Sequence, residues 1–354
     1  MATAMEEDAS FGFQMDFLLN EAMEIYGVDG RTICTAVSGG ADSMSLLVLS
    51  SNWARKRGFK TICVTVDHQL RPESAKEAAF VKDFCKACEV CHHTLKWERP
   101  SEPIASGKIE MLAREARYKL MGDFCSVNGI NFLLTAHQWN DQLETVEMRK
   151  HSGSRENGLA GMSRIRSIVG NVKLLRPLLY FPKKHLEDFL IARNIAWVSD
   201  PMNEDNSFKR VAYRKQIIDY DRQKTAEYTE EILRCGKVRN ELEFKAVNFL
   251  KRSCRFYEDG RADMSLASLL VESSDVQREI IRRVVWNIGG KKYSTFISEE
   301  CRKKIINREI NTIGRCLFKT KRDLLSVFRE IRLPYGDANN RIERENTNLY
   351  DVFL

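Results

Sequence analysis

No stretch of this chain approaches the roughly 18 uncharged apolar residues that a membrane-crossing helix needs, so no partner membrane is expected. The opening MATAMEEDAS is polar and acidic where a secretory leader is basic and then apolar. A cytoplasmic protein is therefore expected. No internal repeat or low-complexity tract is evident. Net charge is also modest, +7 from 56 Lys plus Arg against 49 Asp plus Glu, which permits a nucleic-acid partner without demanding one. Two familiar phosphate loops are missing as well. There is no GxxxxGK[ST], hence no lysine to reach β and γ phosphates, and no GxGxxG dinucleotide fingerprint.

What is present begins with alternation. TICTAV (32–37), TICVTV (61–66), HHTLKW (92–97) and NFLLTA (131–136) are short, apolar and β-branched, and helix-length segments separate them. This pattern predicts βαβ units on a parallel sheet covered on both faces, with ligands at the carboxyl ends of the strands. A glycine-rich, basic stretch at 151–170 predicts a loop with a short helical turn, and VKLLRPLL a further extended segment. A chain of 354 residues, 43% hydrophobic and 30% charged, has room for more than one core. We expect an α/β nucleotide-binding domain over 1–215, a charged helical connector over 216–255, and a smaller, mainly helical domain over 256–354. Its segment from Lys291 to Glu330 holds eleven Lys or Arg against five acidic residues. Ten cysteines, several inside apolar runs, read as buried free thiols in a reducing compartment.

The chemistry starts at AVSGGADSMSLLVL (36–49). Ser38, Gly39 and Gly40, placed between a strand and a helix, let successive N–H groups converge beside the helix N-terminus. That makes a nest for phosphate or pyrophosphate. A carboxylate at Asp42 would repel such an anion unless Mg²⁺ lay between them. The plainer alternative is a helix start at which Ser38 and Asp42 merely cap. Asp67 and His68 follow the second strand, where turn capping and ligand contact are both open. Glu110, Arg114 and Arg117 share one helical face, as a site or as an ion-pair ladder. His137, Asn140, Asp141, Gln142, Glu144 and Thr145 lie at a strand end and helix start.

SGGADS resembles the pyrophosphate-binding loop of the PP-loop, or N-type, ATP pyrophosphatase superfamily, whose members split ATP into AMP and pyrophosphate. VDHQLRPES (66–74), EMLAREARY (110–118), TAHQWNDQLET (135–145), GLAGM (158–162), LLRPLL (174–179) and DPMNEDNSFKRVAYR (200–214) extend the resemblance to the tRNA(Ile)-lysidine synthase family. WNIGGKKY, TIGRC and the late FRE carry a weaker echo through the second domain.

The resemblance implies ATP and Mg²⁺ as cofactors, with free L-lysine and a tRNA(Ile) bearing a CAU anticodon as partners. A homodimer is compatible with it. It implies adenylation of the anticodon cytidine at its C2 oxygen, followed by displacement of AMP by the lysine ε-amine. It places ATP against Ser38, Gly39, Gly40, Asp42, Ser43, Asp67, His68, Arg114, Arg117 and His137. Lysine would meet Glu110, Asn140, Asp141 and Glu144, the metal Asp42 and Asp141, and the chemistry would fall to Asp42, Glu110, Asp141 and Glu144. A positive rim of Arg149, Lys150, Arg155, Arg164, Lys209, Arg210 and Arg214, with Arg282 and Arg283 in the second domain, would grip the tRNA.

Two departures stand out. Asn140 replaces one of the family's paired aspartates, and Ser152 replaces the arginine of its arginine-glycine-serine-glycine run. A nucleotide- or tRNA-binding protein without turnover therefore stays open. So does a thiolase, because Cys85, Cys88 and Cys91 form CxxCxxC, though their spacing also suits a helix and its end.

Overall fold

The computed structural model describes residues 2–26, 29–69, 73–98, 106–154, 156–198, 222–290, 297–309 and 312–330. Side chains are not described for 2–8, 25–26, 106–108, 110, 156–157 and 222. The chain divides into two compact units, Met1–Gly236 and Lys237–Leu354.

The first unit is built on a six-stranded sheet. Its strands are β1 (Thr32–Ala36), β2 (Lys60–Asp67), β3 (Cys91–Lys96), β4 (Phe132–Leu134), β5 (Ile165–Ser167) and β6 (Lys173–Leu175), in the order β3-β2-β1-β4-β6-β5. All neighbours are parallel except β5, a short antiparallel edge on β6 that the pattern alone did not suggest. The chain runs outward from β1 through β2 to β3 and then returns to pair β4 on the other side of β1. That reversal opens a crevice at the carboxyl ends of β1 and β4, the usual ligand position in such sheets.

Helices cover both faces. On one side α1 (Ala2–Tyr26), α2 (Ala41–Arg57), α3 (Glu73–Ala87) and α7 (Lys183–Ile191) enclose a core that includes Ile33, Leu46, Val81 and Phe189. On the other side α4 (Ser106–Val127) packs Met121 and Cys125 against Cys34, Val64 and Leu133. Helix α1 is held through Phe11, Met15, Leu18, Leu19 and Ala22, all buried, and Asp16 accepts from Trp53 Nε1 at 3.1 Å. Helices α5 (Trp139–His151) and α6 (Glu156–Leu159) lead from β4 into the glycine-rich loop. The charged segment beyond 216 forms one helix, α8 (Arg222–Ser253), whose Tyr228 and Ile232 pack against Trp139, Leu143 and Val146.

In the second unit the expected helices are α9 (Leu266–Val271), α10 (Ser274–Gly289) and α11 (Glu299–Ile306). They share that unit with an antiparallel sheet that the sequence did not announce. It comprises β7 (Cys254–Phe256), β8 (Arg261–Ser265), β9 (Thr312–Ile313), β10 (Cys316–Lys321) and β11 (Leu324–Arg329), ordered β7-β8-β11-β10-β9. Buried and more accessible positions alternate along β8, β10 and β11, and Val284, Val285 and Ile288 of α10 share a core with Phe318, Leu325 and Val327.

All ten cysteines are free thiols, six of them buried. Among the described residues no helix is long and apolar enough to cross a membrane.

Candidate active site

The loop between β1 and α2 curls as its glycines require. Gly39 has φ +93°, a region that L side chains rarely adopt, and a Cβ there would meet Val198 Cγ2 at 3.4 Å. The N-cap of α2 is Gly40, with no side-chain cap, so the simple capping role for Ser38 and Asp42 does not apply. Instead Ser43 ties the turn together: its Oγ donates to Gly40 O at 2.9 Å and accepts from the Ser38 N–H at 3.1 Å. The Val198 N–H donates to Gly39 O at 2.9 Å, which turns that carbonyl toward the 195–198 segment. The N–H groups of Gly39, Gly40 and Ala41 find no acceptor among the described residues. With the dipole of α2 behind them and Asp42 in its first turn, they form an anion cradle with a carboxylate at its rim.

At the β2 tip, Asp67 is buried. Its Oδ1 accepts from the Gln69 N–H at 2.9 Å and from Ser74 Oγ at 2.7 Å, which makes it the organiser of the turn into α3. His68 is half-buried, stands edge-on to Trp97, and keeps a buried Nδ1 with no hydrogen-bond partner. Burial, helped by the nearby Arg117 charge, lowers its pKa against the opposing pull of Asp67, so it is neutral at physiological pH. On α4, Arg114 and Arg117 flank the Tyr118 ring, at 5.3 and 5.4 Å from its centroid. The shared helical face is thus an arginine pair on a tyrosine, and Tyr118 is a site residue that the motif spacing did not single out. The Glu110 side chain lies outside the described residues, as do Arg155, Lys209, Arg210 and Arg214.

The β4 tip leads into a capping box. Gln138 accepts from the Asn140 N–H at 2.6 Å, and Asp141 Oδ2 accepts from the Gln138 N–H at 3.0 Å. One oxygen of Asp141, expected on metal or lysine, is therefore committed to starting α5. Thr145 donates to Asp141 O at 2.7 Å, and His137 Nδ1 contacts Thr135 Oγ1 at 2.9 Å. Glu144 is buried in the same helix. Gln142, fully buried, holds the 158–162 loop by accepting from the Met162 N–H and donating to Met162 O at 3.3 Å. Gly161 has φ +63°, and a Cβ there would lie 2.4 Å from Gln142 Oε1. Gly161→Ala is expected to lower stability by about 1–3 kcal/mol, read as a lower melting temperature.

Several arginines and lysines expected on a free positive rim are engaged inside the protein. Arg149 donates to Gly158 O and Gly161 O at 2.7 and 2.8 Å. Lys150 pairs with Glu231 at 2.5 Å and stands over the Tyr228 ring. Arg164 pairs with Glu21 at 3.3 Å above Phe17, and in the second unit Arg282 and Arg283 both bond Glu279. Arg149, Lys150 and Arg164 thus clip one element to another, whereas Arg282 and Arg283 share a carboxylate of their own helix.

The CxxCxxC cysteines diverge. Cys85 is buried in α3 beside Cys63, Cys88 lies in the turn after that helix, and Cys91 is exposed at the start of β3, so the helical spacing does not reach it.

The model of the PP-loop domain matches residues 12–220. The chain belongs to the PP-loop family. Among curated relatives, the tRNA(Ile)-lysidine synthase of Wolbachia pipientis wMel is 35% identical over 212 residues, 59% of this chain and 48% of that protein. The tRNA(Ile)-lysidine synthase of Rickettsia prowazekii is 27% identical over 329 residues, 91% of this chain and 75% of that one. The chain thus spans about half the length of the first relative and three quarters of the second. Among solved structures, the U34-tRNA thiolase NcsA from Methanococcus maripaludis with its [4Fe-4S] cluster superposes with a TM-score of 0.51 at 12% identity, covering 64% of this chain and 80% of that one. That likeness is one of fold. The match to an ATP-utilising family includes the amide cradle at 38–41 within its span.

Proposed function

We propose that this PP-loop protein is a tRNA(Ile)-lysidine synthase, which joins free L-lysine to C2 of the anticodon cytidine of a tRNA(Ile) with a CAU anticodon. The observation that carries the proposal is the ring of groups around the sheet's reversal point: the amide cradle after β1, His68 after β2, and the α5 carboxylates after β4. The alignment with named synthases over 91% of the chain supports it.

On this reading the cytidine C2 oxygen attacks the α-phosphorus of ATP, pyrophosphate leaves, and the lysine ε-amine then displaces AMP. The N–H groups of Gly39, Gly40 and Ala41 hold the departing pyrophosphate and stabilise charge as it grows there. Asp42 fits a Mg²⁺ that neutralises the same charge, because one carboxylate with phosphate oxygens and water is an ordinary donor set for that ion. Neutral His68 offers a donor or acceptor to the nucleotide without adding charge. The attacking amine must lose a proton, and the carboxylates at hand are Glu144, buried in α5, and the oxygen of Asp141 not used in the capping box. The RNA backbone meets exposed Arg166 and the basic 209–215 run.

Purified protein given ATP, Mg²⁺, labelled lysine and tRNA(Ile) with a CAU anticodon is expected to release pyrophosphate and add one lysine per tRNA. Tight nucleotide and tRNA binding with no lysine incorporated would turn the assignment to a binding protein.

A further inference from the structure

Arg176 follows β6 at the carboxyl edge of the sheet and is only 4% exposed. Its backbone N–H donates to Arg164 O at 2.9 Å, and its Nη1 donates to Ser163 O. Its Nε is buried with no hydrogen-bond partner. The charged neighbours that act on it are Arg166 and Arg114, and Tyr118 is the one group that favours its charge. Tyr118 in turn feels Arg114, Arg117 and Arg176 together, and its hydroxyl is buried without a hydrogen bond of good geometry. Arg117 repeats the pattern, with a buried Nε that no acceptor reaches.

A protein interior does not normally collect guanidiniums without carboxylates. Arg176 is buried and Arg117 half-buried, while Arg114 reaches them from the exposed side of α4, and like charges repel, so a purely structural role for the buried member calls for a balancing anion within the fold. Here the described neighbours supply only a phenol. Burial by itself raises the Tyr118 pKa, yet the three guanidiniums outweigh it and bring it below the usual phenol value. Burial brings Arg176 down to about 10, which still leaves it charged at neutral pH. Such a cluster at the strand tips is incomplete until an anion enters. The fork of a guanidinium matches a phosphate or carboxylate edge, and three guanidiniums carry more charge than a single carboxylate balances.

We propose that Arg176, with Arg114 and Arg117, forms a phosphate-binding cradle walled by Tyr118, separate from the amide cradle after β1 and loaded by a phosphate of the nucleotide or of the RNA backbone. The proposal deepens the adenylation reading and rests on it. Two cradles at the carboxyl edge of one sheet, after β1 and after β6 with β4 between, suit a reaction that parts one phosphate from the other two.

The test is Arg176→Gln alongside wild type, with Mg·ATP affinity, tRNA affinity across a salt series, and lysine KM measured on each. About a tenfold or greater loss of ATP affinity with tRNA binding unchanged supports the cradle, with the nucleotide as source. Weaker tRNA binding with a shallower salt slope and unchanged ATP affinity supports it, with RNA as source. A rise confined to the lysine KM overturns the phosphate assignment in favour of a carboxylate. Unchanged affinities for all three, with or without a lower melting temperature, overturn the cradle altogether. If Arg176→Gln does not fold, Arg117→Gln on the surface of α4 is read by the same outcomes. Lysine incorporation by wild type is scored independently. A wild type that adds lysine while the variants bind normally sinks only the cradle, whereas an inactive wild type whose variants lose ATP sinks only the adenylation reading.

Discussion

Asp42→Asn is expected to lower kcat/KM for lysidine formation by roughly a hundred- to a thousandfold, about 3–4 kcal/mol of transition-state stabilisation. The carboxylate sits in the first turn of α2, directly after amide groups that find no acceptor among the described residues. Negative charge beside bound phosphates raises energy unless a cation joins them, so on the proposed reading Asp42 acts through Mg²⁺. Asparagine keeps the size and one acceptor oxygen but not the charge. The fold should survive, because the amide still tolerates a helix start, and losing one acidic group near a helix N-terminus costs only about 0.3–1 kcal/mol. Melting should then fall by no more than about 4 °C while pyrophosphate release nearly stops. Raising Mg²⁺ should recover part of the rate in the variant. Turnover equal to wild type at low Mg²⁺ would remove the metal from Asp42.

The first unit is highly legible in sequence, and the reason is local. TICTAV and TICVTV are continuous apolar runs that only a sheet covered on both faces can bury, and they become β1 and β2 with no boundary shifted by more than one residue. SGGADS declares its loop because L side chains rarely adopt φ +93°, the value at Gly39. Helix α1 was open to reading too: Phe11, Met15, Leu18, Leu19 and Ala22 recur at helical spacing behind the acidic opening. What stayed hidden depends on distant partners. Arg176 inside LLRPLL carries no role in an extended segment until β6 pairs with β4 and buries it. Asp141 looks like a ligand until its oxygen is found on the Gln138 N–H. The second sheet was obscured because its strands, such as Thr312–Ile313, are too short for periodicity to register. Basic residues mislead most, since a run of charge does not disclose which glutamate stands opposite.

Glu279→Gln makes that last point measurable, and it is expected to destabilise the protein by about 3–5 kcal/mol. Glu279 is 11% exposed and accepts from Arg282 Nε at 2.7 Å and from Arg283 Nε at 2.8 Å, while Arg283 also reaches Glu243 at 3.9 Å. Glu279 is thus the close carboxylate of two half-buried guanidiniums on α10, with Glu243 more distant, and the opposite face of that helix carries Val284, Val285 and Ile288 into the core. Glutamine removes the charge and turns an amide N–H₂ toward donors, which leaves both arginines underpaired in a site that water reaches poorly. A melting temperature lower by roughly 10 °C or more would follow. The effect has a pH signature. Burial pushes the Glu279 pKa up, but the Arg282 and Arg283 contacts outweigh it and hold it below the ordinary glutamate value. The stabilisation is therefore complete above the unfolded value of about 4.3 and fades as pH falls through the lower folded one, so wild type and variant converge in acid. The same pairing sets what Arg282→Gln should do: lower stability while leaving the salt slope of tRNA binding near that of wild type. A variant that melts with wild type but binds tRNA with a shallower slope would return Arg282 to the RNA surface.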